Sequence, residues 1–413
     1  MTIEVYLDAY GIQRRVGWLR RHPGTGRERV SYEHDPEWLS MADAFQFDPA
    51  LPLTPGPNYP PRGHEMFGTL GDSAPDTWGR ELMRRRERRE ADSAGRPVRT
   101  LHEADYLLGV SDLTRLGALR FMEDGEFQAQ QDRGVPTTVA LGDLLQASQR
   151  ILSGEETGED LMLIFAPGSS LGGARPKASV YDQHGRLSIA KFPKETDVYS
   201  VSRWEAIALD MAAAAGISVA EHELIEHGSG PIFLARRFDR TGEGHRVPFM
   251  SGMAMTDHRD GDEECSYLEL VDAINERGAF PDRDRAELFR RIAFSILVTN
   301  TDDHLRNTGF LWTGPRGWTL SPAYDINPVP QGVRILSTRI DFDDGTASID
   351  LLRSVAEYFM PQDQADGIIV QCANVSRRWK DFAASRSAPA AEVKRMQPAF
   401  EHDSLWHALS PSM

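Results

Sequence analysis

A polar octet, Asn300-Thr-Asp-Asp-His-Leu-Arg-Asn307, follows the apolar run 292–298. Asp302 and Asn307 stand five residues apart, which is the spacing of the D-x-x-x-x-N pattern in phosphoryl-transfer loops. Such chemistry needs a carboxylate to orient the attacking hydroxyl and oxygen ligands to hold magnesium against the phosphates. Asp and Asn also form turns and helix caps, so the spacing alone leaves a structural role open.

Asp325, in Tyr324-Asp-Ile-Asn327, is a second candidate metal carboxylate. Two strand-like segments, 309–312 and 318–320, precede it and are joined by 313–317. A hairpin of this length would return Asp325 to the side of Asn307. His304 could be a metal ligand or a hydrogen-bonding residue that braces the loop, and the bracing role is favoured.

Small residues are concentrated in segment 166–174, which contains Ser169, Ser170, Gly172 and Gly173. Glycines lack side chains, so their backbone amides can approach phosphate oxygens closely. The segment matches neither the G-x-x-x-x-G-K-[ST] nor the G-x-G-x-x-G pattern. It therefore indicates a phosphate-binding loop only in combination with other residues.

Lys191 ends a strand-like run after this loop, where a phosphate-binding lysine would lie. Glu205 follows fourteen residues later on a predicted amphipathic helix. The two could pair as the strand lysine and helix glutamate of protein kinases do. Both could instead be surface charges, although the apolar strand around Lys191 argues against this.

The surrounding pattern predicts elements that could position these side chains. Ile3, Val5 and Leu7 alternate with polar residues, which indicates a small β unit extending to about residue 35. The proline-rich segment 51–61 predicts an extended loop. Further predictions are helices over 72–90, 103–108, 204–215 and 286–298, strands over 177–181, 187–192 and 231–238, and a mainly helical last hundred residues.

Length and charge narrow the class of protein. A chain of 413 residues exceeds one hydrophobic core, and a net charge of −16 argues against nonspecific nucleic-acid binding. We expect neither a secretory signal nor a membrane span, and the two cysteines give no disulfide framework, so the expected compartment is the cytoplasm. The basic run 84–89 is either a solvated helix face or a contact surface for an acidic partner or DNA.

In this order and spacing, the motifs resemble the HipA family of type II toxin kinases over most of the chain. The octet 300–307 is similar to the family's catalytic loop, and Tyr324-Asp325 to its metal-binding position. Other segments that carry the resemblance are Gly71-Asp-Ser-Ala-Pro-Asp-Thr-Trp-Gly79, Gly109-Val-Ser-Asp-Leu-Thr-Arg-Leu-Gly-Ala-Leu119, Ser170-Leu-Gly-Gly-Ala-Arg-Pro-Lys177 and Ala235-Arg-Arg-Phe-Asp-Arg240.

The resemblance implies an α+β, bilobal, protein-kinase-like fold with a small β-containing N-terminal subdomain and a mainly helical C-terminal lobe. Expected domains are 1–130, 131–240 with the phosphate loop and hinge, and 241–413 with the catalytic loop. Asp302 would be the catalytic base, and Asn307 and Asp325 would be the Mg²⁺ ligands. Expected ATP-binding residues are Ser170, Leu171, Gly172, Gly173, Ala174, Lys177, Lys191, Glu205, Arg236, Arg237, Phe238 and His304.

The resemblance also implies regulation and partners. Ser170, or Ser169 next to it, would be autophosphorylated, which would eject the loop and inactivate the enzyme. A small helix-turn-helix antitoxin (HipB-like) would bind the chain and bridge it to operator DNA. The protein substrate would be a translation component such as an aminoacyl-tRNA synthetase.

Two other functions stay open from the sequence. The chain could be a catalytically weak partner that acts mainly as an antitoxin-binding corepressor. It could also be a metal-dependent phosphohydrolase that uses Asp302, Asp303 and His304, although such an enzyme would not require Lys191 or the glycine loop.

Overall fold

A computed structural model describes residues 2–22, 24, 28–128, 135–165, 173, 175–262, 264–330, 332 and 334–410. The strands are β1 (Thr2–Ala9), β2 (Ile12–His22), β3 (Arg29–His34), β4 (Pro57–Asn58), β5 (Leu119–Glu123), β6 (Glu126–Phe127), β7 (Lys177–Tyr181), β8 (Leu187–Lys191), β9 (His222–Ile225), β10 (Ile232–Arg236), β11 (Phe249–Ser251), β12 (Gly309–Trp312) and β13 (Trp318–Leu320).

The described residues also form α-helices. They are α1 (Pro36–Ser40), α2 (Gly68–Asp72), α3 (Thr77–Ser93), α4 (Glu103–Gly109), α5 (Leu141–Ser153), α6 (Gly158–Phe165), α7 (Val201–Ala214), α8 (Gly252–Met255), α9 (Tyr267–Arg277), α10 (Pro281–Val298), α11 (Ile349–Ser354), α12 (Gln362–Ser376), α13 (Trp379–Ser385), α14 (Ala390–Phe400) and α15 (Asp403–Leu409).

The chain forms two compact units. The first consists of Met1–Thr196 with Leu234–Met250, and the second of Asp197–Phe233 with Ser251–Met413. The boundaries fall inside β10 and β11. The predicted border at 130/131 lies outside the described residues, and the three-domain division stays a prediction.

The first unit contains a six-stranded sheet in the order β4-β3-β2-β1-β5-β6. Neighbouring strands are antiparallel, and Val5 lies opposite both Gly17 and Phe121. Alternate residues of β1, Ile3, Val5 and Leu7, are buried in its core. The predicted β unit is confirmed, and β5 and β6, which the sequence pattern did not indicate, extend the sheet.

The hairpin of β7 and β8 also belongs to the first unit. Its strands are antiparallel, and Lys177 lies opposite Lys191. The backbone N–H of Arg237, just after β10, donates to the carbonyl of Leu187 at 3.0 Å. Both hairpin strands lie within one residue of their predicted bounds.

The second unit is mainly helical. The long helix α10 packs against α9 and α12, and Trp379 stacks on Phe400 with ring centroids 4.7 Å apart. Helix α10 begins with Pro281 at its first turn, five residues before the predicted start, because a proline suits the first helical position. Helix α7 likewise begins earlier than predicted, since Ser200 caps it by accepting from the N–H of Arg203.

The α+β fold class is confirmed by this mixture of sheet and helix. Within the described part of the chain, no helix combines the length and apolar character that a membrane crossing requires. Cys265 and Cys372 are buried free thiols.

Candidate functional site

Helix α10 brings the polar octet out of a buried core. Residues from Arg291 to Val298 are buried, and Thr299 ends the helix in the left-handed region with φ 54°. The N–H of Asn300 then donates to the carbonyl of Ser295 at 2.9 Å. The chain therefore leaves the core immediately before Asp302, which is exposed.

The loop folds back so that Asp302 and Asn307 are adjacent. The carbonyl of Asp302 accepts from the N–H of His304 at 3.0 Å and from Nδ2 of Asn307 at 3.0 Å. The N–H of Asn307 donates to the carbonyl of His304 at 2.8 Å. The five-residue spacing thus produces a compact turn.

The hydrogen bonds of this turn use the amide nitrogen of Asn307 but not its amide oxygen. It is buried and has no hydrogen-bond partner among the residues that the structure describes, while Asn307 as a whole is 8% exposed. A buried acceptor without a partner costs about 1–3 kcal/mol. Such an atom calls for an explanation, and an absent ligand or ion is one of the few that apply.

The hairpin of β12 and β13 returns the chain to this loop. The hydroxyl of Tyr324 donates to the carbonyl of Arg306 at 2.6 Å, which ties the start of Tyr324-Asp-Ile-Asn327 to the octet. Asp325 itself adopts φ 57°, a left-handed conformation that is uncommon outside glycine and that Asp and Asn adopt more often than other residues. The predicted hairpin is confirmed, and it returns the chain to the octet at Tyr324.

A chain of hydrogen bonds fixes Asp325 against the octet. Nδ2 of Asn327 donates to Oδ1 of Asp325 at 2.9 Å, and the N–H of Asn327 donates to Oδ1 of Asn300 at 3.0 Å. Nδ2 of Asn300 in turn donates to Oγ of Ser295 at 3.2 Å. Asn300 begins the octet and Asn327 ends the segment Tyr324-Asp-Ile-Asn327, but the sequence pattern assigned no role to either asparagine.

Asp303 is held on the inner side of the loop. Its carboxylate accepts from the hydroxyl of Tyr267 at 2.7 Å and from Oγ of Ser295 at 3.1 Å. Burial raises the pKa of Asp303, and these two hydrogen bonds oppose the shift. Asp303 therefore braces the loop, which argues against a hydrolase in which Asp302, Asp303 and His304 hold a metal together.

Asp302 has the electrostatics of a proton acceptor. Although the residue is exposed, protein atoms around the carboxyl group of Asp302 exclude part of its water and raise its pKa. His304 opposes this shift, and the negative charge of Asp325 adds to it. A carboxylate with a raised pKa accepts a proton more readily than an ordinary one.

Two oxygens of this site could serve a magnesium ion. Among the described residues, no group of three or more His, Cys, Asp or Glu side chains could hold a metal ion. Mg²⁺ often takes only one or two protein ligands and completes its shell with waters and substrate phosphates. The Asn307 oxygen, which has no partner among the described residues, and the Asp325 carboxylate fit that pattern.

Most of the predicted phosphate loop lies outside the residues that the structure describes. Ser169, Ser170, Leu171, Gly172 and Ala174 lie outside the described residues. Gly173 has φ 104°, a conformation that favours glycine.

Lys177, at the end of this segment, is enclosed in the first unit. Its ammonium lies 2.7 Å from Asp76, and the two side chains are 2% and 1% exposed. Asp76 also caps α3 by accepting from the N–H of Gly79. This burial favours a structural role for Lys177, which anchors β7 to α3, over contact with a phosphate.

Lys191 and Glu205 lie in different units. Lys191 is half-buried at the end of β8, and Glu205 is 2% exposed on α7. Their pairing stays a prediction.

The segment Arg236 to Phe238 divides into two kinds of position. Arg236 and Phe238 are half-buried, whereas the side chain of Arg237 is 0% exposed. Arg237 donates through Nε to Asp239 at 2.6 Å and through Nη1 to the carbonyl of Thr114 at 2.9 Å. Arg237 is therefore a buried anchor, and only Arg236 and Phe238 stay candidates for nucleotide contact.

Family models match two parts of the chain. Residues 4–101 match the HipA N-terminal domain, and residues 169–379, just over half of the chain, match the HipA-like C-terminal domain. The chain belongs to the HipA family. The predicted membership is thereby confirmed, and the octet and the Asp325 segment both fall within the C-terminal match.

Individual relatives agree with this assignment. The chain is 28% identical to "Toxin YjjJ" of Escherichia coli over 193 residues, or 44% of this chain and 43% of that protein. It is 34% identical to "Putative kinase Y4dM" of Sinorhizobium fredii over 121 residues, or 29% of this chain and 28% of that protein. These matches span less than half the length of either relative.

A solved structure supports the fold. The HipA toxin–antitoxin complex of Shewanella oneidensis with HipB and operator DNA contains a chain that matches with a TM-score of 0.67 and 18% identity, covering 98% of this chain and 96% of that chain. The HipA-like fold is thus confirmed along nearly the whole length.

Proposed function

We propose that this HipA-family protein is an ATP-dependent serine/threonine protein kinase. The observation that carries the proposal is the folding of the Asp325 segment against the loop from Asp302 to Asn307. There the amide oxygen of Asn307 has no partner among the described residues, and the charge of Asp325 acts on Asp302. Asp302 would accept the proton of the attacking hydroxyl, and its exposure leaves room for an acceptor side chain. The kinase names of relatives point the same way.

The proposed cofactors are ATP and Mg²⁺. Asn307 and Asp325 would hold the ion, which would neutralise charge on the phosphates. Lys191, supported by Glu205, would contact the phosphates, as would the glycine segment that includes Gly173. Arg236 and Phe238 would lie beside the adenine, and His304 would brace the loop.

The proposed cellular role is that of the toxin in a toxin–antitoxin pair. The toxin name of the Escherichia coli relative and the HipB in the Shewanella complex support a small helix-turn-helix antitoxin as partner. The substrate would be a cytoplasmic translation component such as an aminoacyl-tRNA synthetase. Phosphorylation of Ser170 or Ser169 would add about two negative charges where ATP phosphates bind, and so switch the enzyme off.

Mass spectrometry tests the activity directly. Purified protein is incubated with ATP and Mg²⁺, alone and with a cell lysate, and phosphosites are mapped on both. We expect phosphoserine or phosphothreonine on lysate proteins and on Ser169 or Ser170, and none with Asp302→Ala. Asp272→Ala, an exposed aspartate on α9, is the matched control and should keep full activity.

Two results would contradict the proposal. Phosphate transfer that survives Asp302→Ala would remove Asp302 from the chemistry. ATP binding without transfer to any protein would instead indicate the corepressor role.

A further inference from the structure

A hydroxyl group lies inside the buried end of α10. Ser295 is 3% exposed, and every other residue from Ile292 to Val298 is apolar. Burying a hydroxyl group is unfavourable unless it is hydrogen-bonded. Oγ of Ser295 bonds two side chains beyond the end of the helix, Asp303 at 3.1 Å and Asn300 at 3.2 Å. The hydroxyl therefore joins the helix core to the octet.

Ser295 holds Asn300 through two atoms. Its carbonyl accepts from the N–H of Asn300 at 2.9 Å, and its Oγ accepts from Nδ2 of the same residue. Oδ1 of Asn300 accepts from the N–H of Asn327 at 3.0 Å. Because Asn327 follows Asp325 by two residues, the amide of Asn300 fixes the backbone next to the proposed metal ligand.

The donors and acceptors of this chain can be assigned one by one. The backbone N–H of Asn327 can only donate, so Oδ1 of Asn300 faces it and Nδ2 faces Ser295. Because Nδ2 also can only donate, Oγ of Ser295 accepts there, and its single hydrogen goes to Asp303. The hydroxyl of Tyr267 donates to the same oxygen of Asp303 at 2.7 Å. Ser295 thus acts as acceptor and donor at once, which an alanine could not do.

The two bonds of the Ser295 hydroxyl lead to the two carboxylates of the candidate site. One ends at Asp303, the residue after Asp302, and the other leads through Asn300 to the segment of Asp325. All of these residues belong to the second unit. A buried polar network with every member bonded is rigid, so both carboxylates are held from one point of the helix core.

We propose that Ser295 is a positioning residue of phosphate transfer, which sets Asp325 against the loop from Asp302 to Asn307. The inference rests on the proposed kinase function and its Mg²⁺ ion. Ser295 acts on the ion through Asn300 and touches neither ion nor substrate. Without its hydroxyl, the amide of Asn300 can turn, the Asp325 segment is held less firmly, and Mg²⁺ binds more weakly.

Four single variants test the proposal. Ser295→Ala removes the hydroxyl and suits a helix interior. Ser295→Cys is similar in size and carries only a weak donor, so it serves if Ser295→Ala does not fold. Asn300→Ala breaks the next link. Ser376→Ala is the matched control, because Ser376 on α12 is 0% exposed and its Oγ has no hydrogen-bond partner among the described residues.

Phosphate transfer is measured against Mg²⁺ concentration with saturating ATP. We expect Ser295→Ala to raise the Mg²⁺ concentration for half-maximal rate about tenfold, as for partners that orient a metal ligand. Ser295→Cys should raise it less, and Ser376→Ala should leave it unchanged. A rate that falls by the same factor at every Mg²⁺ concentration, or equal curves for Ser295→Ala and Ser376→Ala, would overturn the proposal. An unchanged Mg²⁺ requirement in Ser295→Cys would do the same if Ser295→Ala does not fold.

A double variant tests the route through Asn300. Substitutions at two links of one chain are not additive. Ser295→Ala combined with Asn300→Ala should therefore need no more Mg²⁺ than Asn300→Ala alone. A requirement that rises by the product of the two single factors would show that Ser295 does not act through Asn300.

Mg²⁺ binding separates this proposal from the kinase function. Binding to the full chain is measured by calorimetry with adenylyl imidodiphosphate, a non-hydrolysable ATP analogue. Transfer by the unchanged protein, with equal Mg²⁺ binding in Ser295→Ala and Ser376→Ala, would overturn the role of Ser295 alone. Absence of transfer to any protein would overturn the kinase function. Weaker Mg²⁺ binding in Ser295→Ala would then still support its positioning of Asp325, and equal binding would overturn that as well.

Discussion

Asp239 in the first unit and Asp302 in the second differ in the partners that surround their carboxylates. In the first unit, Asp239 accepts from Arg237, from Arg240 at 2.8 Å and from the N–H of Gly117 at 2.7 Å. Although burial raises it, the pKa of Asp239 is held well below its usual range by Arg237 and Arg240. In the second unit, the pKa of Asp302 is raised and the Asn307 oxygen lacks a partner among the described residues.

The difference separates a carboxylate that anchors the fold, Asp239, from the carboxylate proposed to take part in the chemistry, Asp302. A carboxylate with several donors is stabilised in its charged form and holds elements together. A carboxylate with a raised pKa and a neighbouring unpaired acceptor lowers the stability of the fold, and such groups cluster at functional sites. Asp239 and Asp302, two aspartates that look alike in the sequence, therefore lie in opposite electrostatic surroundings.

Removing the anchor should have the largest effect. Asp239→Ala leaves Arg237 and Arg240 buried without their carboxylate, and losing one partner of a buried pair costs about 3–5 kcal/mol. We expect this loss in the free energy of unfolding, measured with urea. Asp272→Ala should change it by less than about 0.5 kcal/mol, and an equally small change for Asp239→Ala would remove the distinction between Asp239 and Asp302.

Replacing Asp302, the proposed catalytic base, should lower activity without destabilising the fold. Asp302→Asn is expected to lower phosphate transfer by about 10²–10⁴-fold, the usual contribution of a general base. Its melting temperature at pH 7.5 should equal or exceed that of the unchanged protein, because ionised Asp302 opposes folding. A marked drop in melting temperature would mean that Asp302 is an anchor as well.

Removing the side-chain donor that holds Asp325 should have an intermediate effect on activity. Asn327→Ala removes the donor to Oδ1 of Asp325 and leaves the backbone link to Asn300 in place. Partners of this kind typically contribute about 10–100-fold to metal affinity or activity. We expect a higher Mg²⁺ requirement for phosphate transfer, measured by titration, with ATP saturating. Unchanged Mg²⁺ dependence would show that Asp325 needs no such positioning.

The two carboxylates should respond to pH in opposite ways. Asp239 has a lowered pKa, so its contribution to stability is present above the unfolded value of about 4 and is lost as pH falls through the folded value. Asp302 has a raised pKa, so its ionisation lowers stability as pH rises from about 4 through the folded value. The advantage of Asp302→Asn should therefore vanish below about pH 4, and urea unfolding at several pH values measures it.

We expect the smallest effect on stability from a substitution in the basic run 84–89 of α3. Arg86 pairs with Glu90 at 2.7 Å, and the two side chains are 55% and 50% exposed. Exposed pairs within a helix contribute about 0.3–0.5 kcal/mol, so Arg86→Ala should shift the free energy of unfolding by no more than this. A loss above 1 kcal/mol would show that exposed charges also anchor the fold.

Much of the local structure followed from the sequence. Alternation at Ile3, Val5 and Leu7, the strand-like segments around 313–317 and the apolar run before Asn300 each predicted an element that the structure contains. These signals are local, because a strand or helix face repeats within a few residues. The starts of α7 and α10 were missed by a few residues, since caps and prolines decide helix ends.

The sequence by itself determined the family, the fold class and the residues gathered at Asp302, because motif order and spacing carry that information. Only the tertiary structure decided which charges are anchors. Lys177 and Arg237 look like ligand-binding residues in the sequence, and burial against Asp76 and Asp239 gives them structural roles. Partners such as Tyr267 for Asp303 come from distant segments, and burial and pKa depend on such contacts. No local pattern records them.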